Sequence, residues 1–173
     1  MTVYCKPKTD EILLGEIGDM QDLLLVGCPI CANLSYGIQQ EEDDFPCMKI
    51  TLKGGKPIYV TKEVDRILSL LKEKGKTVKK HVFNFPGGVC AFNDKDVKKF
   101  RPKTENASEI VTFSCELGKE RMETVFPDKR VIGAMNAVGI FGAPINQKLN
   151  RLYLDREKTN IKNFSLSEDR DGS

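Results

Sequence analysis

Residues 22–34 read DLLLVGCPICANL. An acidic residue opens a nearly unbroken apolar run, Leu23 to Val26, which stops at Gly27 and passes into two cysteines separated by two residues. An apolar run of strand length without polar alternation is the pattern of a strand buried on both faces, as in a parallel sheet. Residues 30–40 can then form a helix. A strand that ends at a glycine and hands the chain to a helix leaves backbone N–H groups facing whatever lies there. The helix dipole favours a negative sulfur at that end. One stretch thus suggests both a fold class and a candidate site.

The flanking segments extend the same alternation. Thr9 and Asp10 offer an N-cap for a short amphipathic helix carrying Ile12, Leu13 and Ile17 and ending near Gly18. Met48 to Leu52 and Lys56 to Val60 alternate around Gly54 and Gly55, which predicts an inserted β-hairpin. From Thr61, apolar residues Val64, Ile67, Leu68, Leu70 and Leu71 mark a helix to about Lys74, closed by Gly75. Lys79 to Phe85 reads as a strand stopped by Pro86, Gly87 and Gly88; Asn93 or Asp94 can cap a helix through Phe100, and a polar linker runs from Arg101 to Ser108.

Glu109 to Ser114 repeats the earlier event, an acidic residue and a run of strand formers with Cys115 six positions on, as Cys28 follows Asp22. A Phe-Pro pair follows each, which makes a weak internal pseudo-repeat; the general likeness of all βα units explains it equally. Lys129 to Met135 reads as the last buried strand, delivering Asn136, Gly139 and Gly142 to a loop. Asn136 and Gly139 are candidates for holding a ligand there, the alternative being a tight turn that needs glycine's freedom.

These signals predict an α/β fold, a three-layer domain with a mostly parallel sheet of Rossmann-like βα units. Residues 1–155 would form one domain, with 8–85 and 86–150 as candidate halves, and 156–173 a polar tail over the surface. With 27 basic and 25 acidic side chains, the charge is too balanced to argue for nucleic acid or an anionic membrane as partner. No apolar run approaches the roughly 20 residues of a membrane span, and the first residues lack a signal-peptide core. A cytoplasmic protein is expected.

Such a compartment keeps thiols reduced, so the six cysteines favour a metal or redox role over a disulfide framework. Cys28, Cys31 and Cys115 follow predicted strands, and Cys90 comes shortly after one. The functional crevice of such a sheet lies beyond the carboxyl ends of its strands, so these four can meet despite their separation. Four thiolates at about 2.3 Å suit zinc, which demands only ligand type and number. The same four cysteines could carry an iron–sulfur cluster. CPIC at a helix start also looks like a thiol–disulfide active site, with Cys28 as nucleophile and Cys31 as resolving thiol. Cys5 and Cys47 read as small buried or half-buried residues outside the site.

Taken together, DLLLVGCPICANL, GGVC at 87–90 and EIVTFSCELGKERMETVFPDKRVIGAMNAVG at 109–139 resemble the C-terminal, zinc-binding-type domain of methylenetetrahydrofolate reductases of anaerobic bacteria and archaea, including their small accessory subunit. The resemblance covers roughly residues 8–142. It implies that Cys28, Cys31, Cys90 and Cys115 correspond to the family's cysteines, and that the chain acts with a folate or corrinoid enzyme of one-carbon metabolism. The clustered cysteines of the accessory subunits' iron–sulfur centres are missing, and no flavin- and folate-binding barrel is present. An accessory or binding protein is expected rather than a complete enzyme.

Other features carry less. His81, the only histidine, sits on a predicted strand and reads as structural or exposed. Lys53-Gly54-Gly55-Lys56 lacks the setting of a P-loop, and the acidic run Glu41 to Asp44 reads as a solvated loop.

Overall fold

A computed structural model describes residues 2–40, 46–51, 54–85, 87–142, 145–148, 151–154 and 158–164. The chain runs β1 (Thr2–Pro7), α1 (Asp10–Ile17), β2 (Asp22–Gly27), α2 (Cys31–Gln39), β3 (Pro46–Thr51), β4 (Gly54–Pro57), α3 (Tyr59–Glu73) and β5 (Thr77–Val82). A 3-10 turn follows at Val89–Ala91, then α4 (Asp94–Thr104), β6 (Glu109–Phe113), α5 (Glu116–Val125), β7 (Arg130–Gly133), β8 (Met135–Gly142), β9 (Ile145–Lys148), β10 (Arg151–Leu154) and β11 (Asn160–Asn163).

The apolar run at 23–26 is the middle of a four-stranded parallel sheet ordered β5-β2-β6-β7. Leu23, Leu24, Leu25 and Val26 are each at most 2 % exposed, which explains the missing alternation: both faces of β2 are covered. Burying each such side chain contributes about 1.5–3 kcal/mol. Helix α3 packs on β2 and β5, and its Arg66 pairs with Asp10 of α1. Phe100 of α4 meets Phe126, just after α5, at 5.8 Å between ring centroids. Those contacts and the right-handed rule for parallel crossovers place α2 and α3 on one face and α4 and α5 on the other. The expected α/β layering is therefore observed.

Strand order fixes where a site can lie. The chain leaves β2 for β5 on one side, then returns across to β6 on the other, so β2 and β6 feed their following segments in opposite directions. The crevice at such a switch point opens beyond the carboxyl ends of these two strands. Cys28 lies directly after one and Cys115 two residues after the other. The Cys28 N–H donates to the Phe113 carbonyl at 2.9 Å, carrying the ladder past the end of β2.

Helix starts are set by particular side chains. Thr9 caps α1, its hydroxyl accepting from the Ile12 N–H. Asn93 and Asp96 form a capping box at α4. Helix α3 has no capping side chain of its own; instead the buried Asn33 of α2 accepts from the Tyr59 and Val60 N–H groups at 2.9 and 3.1 Å, joining the two helices.

Outside the parallel sheet the strands pair antiparallel. Strands β1-β8-β11 and β4-β3-β10-β9 form two antiparallel sheets. Strand β3 pairs with β4 from Met48 and Pro57 to Thr51 and Gly54, and α3 begins at Tyr59 rather than after a strand reaching Val60. Helix α4 runs on to Thr104 through Pro102, taking half of the expected linker; the proline has no N–H, so one i→i−4 hydrogen bond of the helix is missing there. The 129–135 segment is not the last strand. After a one-residue break the chain continues as β8, which carries Asn136, Gly139 and Gly142 in a ladder rather than a loop. Part of the expected tail is strand β11, with exposed side chains. Residues 165–173 and the acidic run 41–44 lie outside the described residues. No helix among the described residues is long and apolar enough to cross a membrane.

Candidate functional site

Three segments converge at the switch point. Cys28 leaves β2, and Cys31 is the first residue of α2. Cys115 is the N-cap of α5. Cys90 lies in the 3-10 turn, which packs against α5. Ile30 Cδ1 would stand 3.3 Å from a Cβ built on Gly88, and the Cys90 sulfur 3.7 Å from it, so this turn approaches the CPIC segment closely.

The sulfurs influence one another. Burial is the main cause raising the Cys28 thiol pKa, with charge on Cys115 and Cys90 adding to it; the Ile30 and Val89 N–H groups oppose the rise. Cys31 and Cys115 are the most tightly linked pair. Donation from the Cys31 thiol to the Cys115 sulfur is the largest cause of both shifts, up for Cys31 and down for Cys115. Burial acts against the fall at Cys115, whereas the N–H groups of Gly118 and Leu117 reinforce it. They favour the thiolate without closing a capping hydrogen bond. Cys90, exposed, is raised by partial burial and then by Cys115. Within this group Cys115 is the favoured thiolate, and the other three hold their protons.

Gly118 makes this geometry possible. A Cβ there would lie 2.7 Å from both Cβ and Oγ of Ser114, so only glycine lets the first turn of α5 fold back over the end of β6. Ser114 is itself buried and hydrogen-bonded to Thr112 at 2.9 Å.

The fifth thiol was not expected. Cys5, on β1, is completely buried, and its N–H donates to Ser35 Oγ of α2 at 3.0 Å. Burial and then charge on Cys115 and Cys28 push its pKa up to about 12. Reading Cys5 as a small buried residue is right as to burial, but it belongs electrostatically to the cluster. A register shift between Tyr4 and Cys5 breaks the β1–β8 ladder at this position, as bulges do where a strand must re-aim a side chain. No local signal marks it, because β1 is completed by a strand far along the chain. The side chain of Cys47 lies outside the described residues.

Among the described residues, no three His, Cys, Asp or Glu side chains stand together as a group ready to hold a metal ion. The donor types suit zinc; their spacing is that of a thiol cluster rather than a closed coordination shell. Asn136 and Gly139 lie in β8, opposite Lys6 and Tyr4 of β1. Asn136 is exposed. A Cβ on Gly139 would come 2.5 Å from the Lys162 carbonyl, so this glycine serves the close approach of β11, and the loop that suggested a ligand is absent. His81 is half-buried on β5 against Phe83, away from the cysteines' set of interactions.

No protein-family model matches the chain, and no curated protein or solved structure is significantly similar to it.

Proposed function

We propose that the chain is a zinc-binding accessory protein in which Cys28, Cys31, Cys115 and Cys90 supply the ligands. The observation that carries this reading is the convergence of Cys28, Cys31 and Cys115 at the carboxyl ends of the adjacent strands β2 and β6. Buried sulfurs that repel one another when ionised are what a divalent cation relieves, and zinc imposes no angular demand of its own. Binding has to draw the 3-10 turn and the CPIC segment toward Cys115. A fully closed four-sulfur site would be structural, whereas a site in which Cys90 stays outward leaves a position open for a thiol substrate. By the resemblance of its cysteine segments to the reductase C-terminal domain, the protein would work beside a folate or corrinoid enzyme of one-carbon metabolism and catalyse no complete reaction alone.

The test is elemental analysis and a visible spectrum of protein purified without oxygen. Colourless protein with stoichiometric zinc supports the proposal. Brown, iron-rich protein replaces zinc by a cluster, and protein that neither retains nor takes up a metal overturns it.

One observation favours a second reading. The Cys31–Cys115 pair combines a protonated thiol with a favoured thiolate, so disulfide exchange would begin at Cys115 rather than at Cys28, whose thiol pKa is raised. Attack of the Cys115 thiolate on a substrate disulfide would release one substrate thiolate and form a mixed disulfide. Cys31, losing its proton, would then displace the second thiolate, leaving a Cys31–Cys115 disulfide and a reduced substrate. Metal-free protein that shows no rapid alkylation at Cys115 below the ordinary thiol range would remove this alternative.

A further inference from the structure

A cleft of about 300 Å³ opens beside the sulfur cluster and is lined by a different set of residues. Its walls are four rings. His81 meets Phe83 edge-on at 4.4 Å between centroids. Phe83 stands 4.9 Å from Phe92 and 5.1 Å from Phe100, and Phe92 and Phe100 are 5.7 Å apart. Gly87, Gly88 and Ala91 form the side next to the turn that carries Cys90. Phe92 and Phe100 are buried, while His81 and Phe83 are half-buried, so their rings remain accessible from the cleft.

The charge at the opening is uneven. Lys99 and Lys103, one helical turn apart on α4, both line the cleft and are exposed. Neither has an ion-pair partner among the described residues, unlike Lys8, Lys80, Lys119 and Lys129. Asp96, the one acidic lining residue, accepts from the Asn93 N–H through Oδ2 in the capping box. Its charge is thus directed to the start of α4. Two unpaired ammonium groups therefore stand over an apolar, aromatic floor. Burial and the nearby Lys103 lower the pKa of His81, which leaves its ring neutral at pH 7 and suited to stacking.

From this juxtaposition we propose that the cleft binds a small planar aromatic anion, its ring against His81, Phe83, Phe92 and Phe100 and its anionic group at Lys99 and Lys103. The rings discriminate planar from saturated occupants, because edge-to-face and offset contacts add to simple area burial. The lysines discriminate charged from neutral ones. The volume is at the small end of ligand sites, which excludes a large cofactor lying wholly inside. This site does not depend on whether the cysteines hold a metal.

The unique histidine makes the test direct, since its ring protons give one reporter inside the cleft. Purified full-length protein is titrated with 2-naphthoate, 2-naphthylmethanol and cyclohexanecarboxylate while the His81 ring signals are followed by proton NMR. Naphthoate is expected to shift them saturably and to bind about tenfold more tightly than either of the others. The double variant K99A/K103A, altered only at exposed positions, should bind naphthoate no better than the neutral alcohol while retaining the His81 shift with that alcohol. Phe83→Leu should erase the preference for the flat ring over cyclohexanecarboxylate. No saturable shift with naphthoate, equal binding of the neutral alcohol, or undiminished binding by a folded lysine variant would each overturn the proposal.

Discussion

At the scale of single residues, the sulfur cluster is defined by an unequal distribution of protons. Under the zinc reading, calorimetry in buffers of different ionisation enthalpy should show zinc displacing protons from Cys28, Cys31 and Cys90, because only Cys115 is held as thiolate. Cys115→Ser should abolish stoichiometric zinc, whereas Cys5→Ser should leave zinc bound and lower stability. Metal-free protein should respond to base. Cys5, Cys28 and Cys31 have raised pKa values in the fold, so the unfolded chain loses protons first as pH climbs through the ordinary thiol range, about 8.5. The stability contributed by keeping these thiols neutral is complete below that range and declines toward about 12, the value for Cys5. Cys115 has the opposite sign: its contribution is present above the ordinary thiol value and is lost as pH falls through its own lowered one. Four raised thiols, Cys90 included, against one lowered predict a net fall in denaturation midpoint on alkalinisation, measurable by urea titration between pH 7 and pH 10. A midpoint that rose would contradict the burial of these groups.

Single elements show which local signals carried tertiary information. The apolar run at 23–26 did, since a strand covered on both faces has no polar alternation to confuse it. The Asn93 cap did as well, its side chain accepting from the Lys95 and Asp96 N–H groups. The polar stretch after Phe100 misled because Arg101, Pro102 and Lys103 continue α4 with exposed side chains, leaving no apolar periodicity to mark them as helix. Gly139 misled for another reason: glycine marks close backbone approach as readily as it marks a turn. Replacing it tests this. Gly139→Val must push the Lys162 carbonyl away, and should cost about 1–3 kcal/mol and remove exchange protection from the amides of Ile161–Asn163 while β2 and β6 stay protected. Gly118→Val should instead displace α5 from Ser114, a loss of similar size that reaches the Cys115 thiolate. Alkylation of metal-free protein would distinguish the two, changing Cys115 reactivity only in the second.

For the molecule as a whole, strand order was the quantity the sequence could not supply. Crossovers of similar length can place β6 beside β2 or beyond β5, and the observed order puts Cys28 and Cys115 above neighbouring strands. The antiparallel sheet that brings in Cys5 was also hidden, because its strands come from opposite ends of the described chain. Long-range ties of this kind extend to the other end of the parallel sheet. Glu109, 1 % exposed in its side chain, accepts from Arg130 at 2.6 Å across the β6–β7 pair, and Arg130 also donates to the Glu16 carbonyl of α1. Arg130→Ala should therefore destabilise by about 1–3 kcal/mol in chemical denaturation, leaving a buried carboxylate without its cation. Adding Glu109→Gln in that background should recover part of the loss. The pairing of β1 with β8 also orders events in time. Strand β1 leaves the ribosome well before residues 135–142, its partner in the sheet, so Cys5 joins the other thiols late. A nascent chain then presents an incomplete sulfur cluster during synthesis, open to oxidation or premature metal capture, and is sealed only when these two distant strands meet.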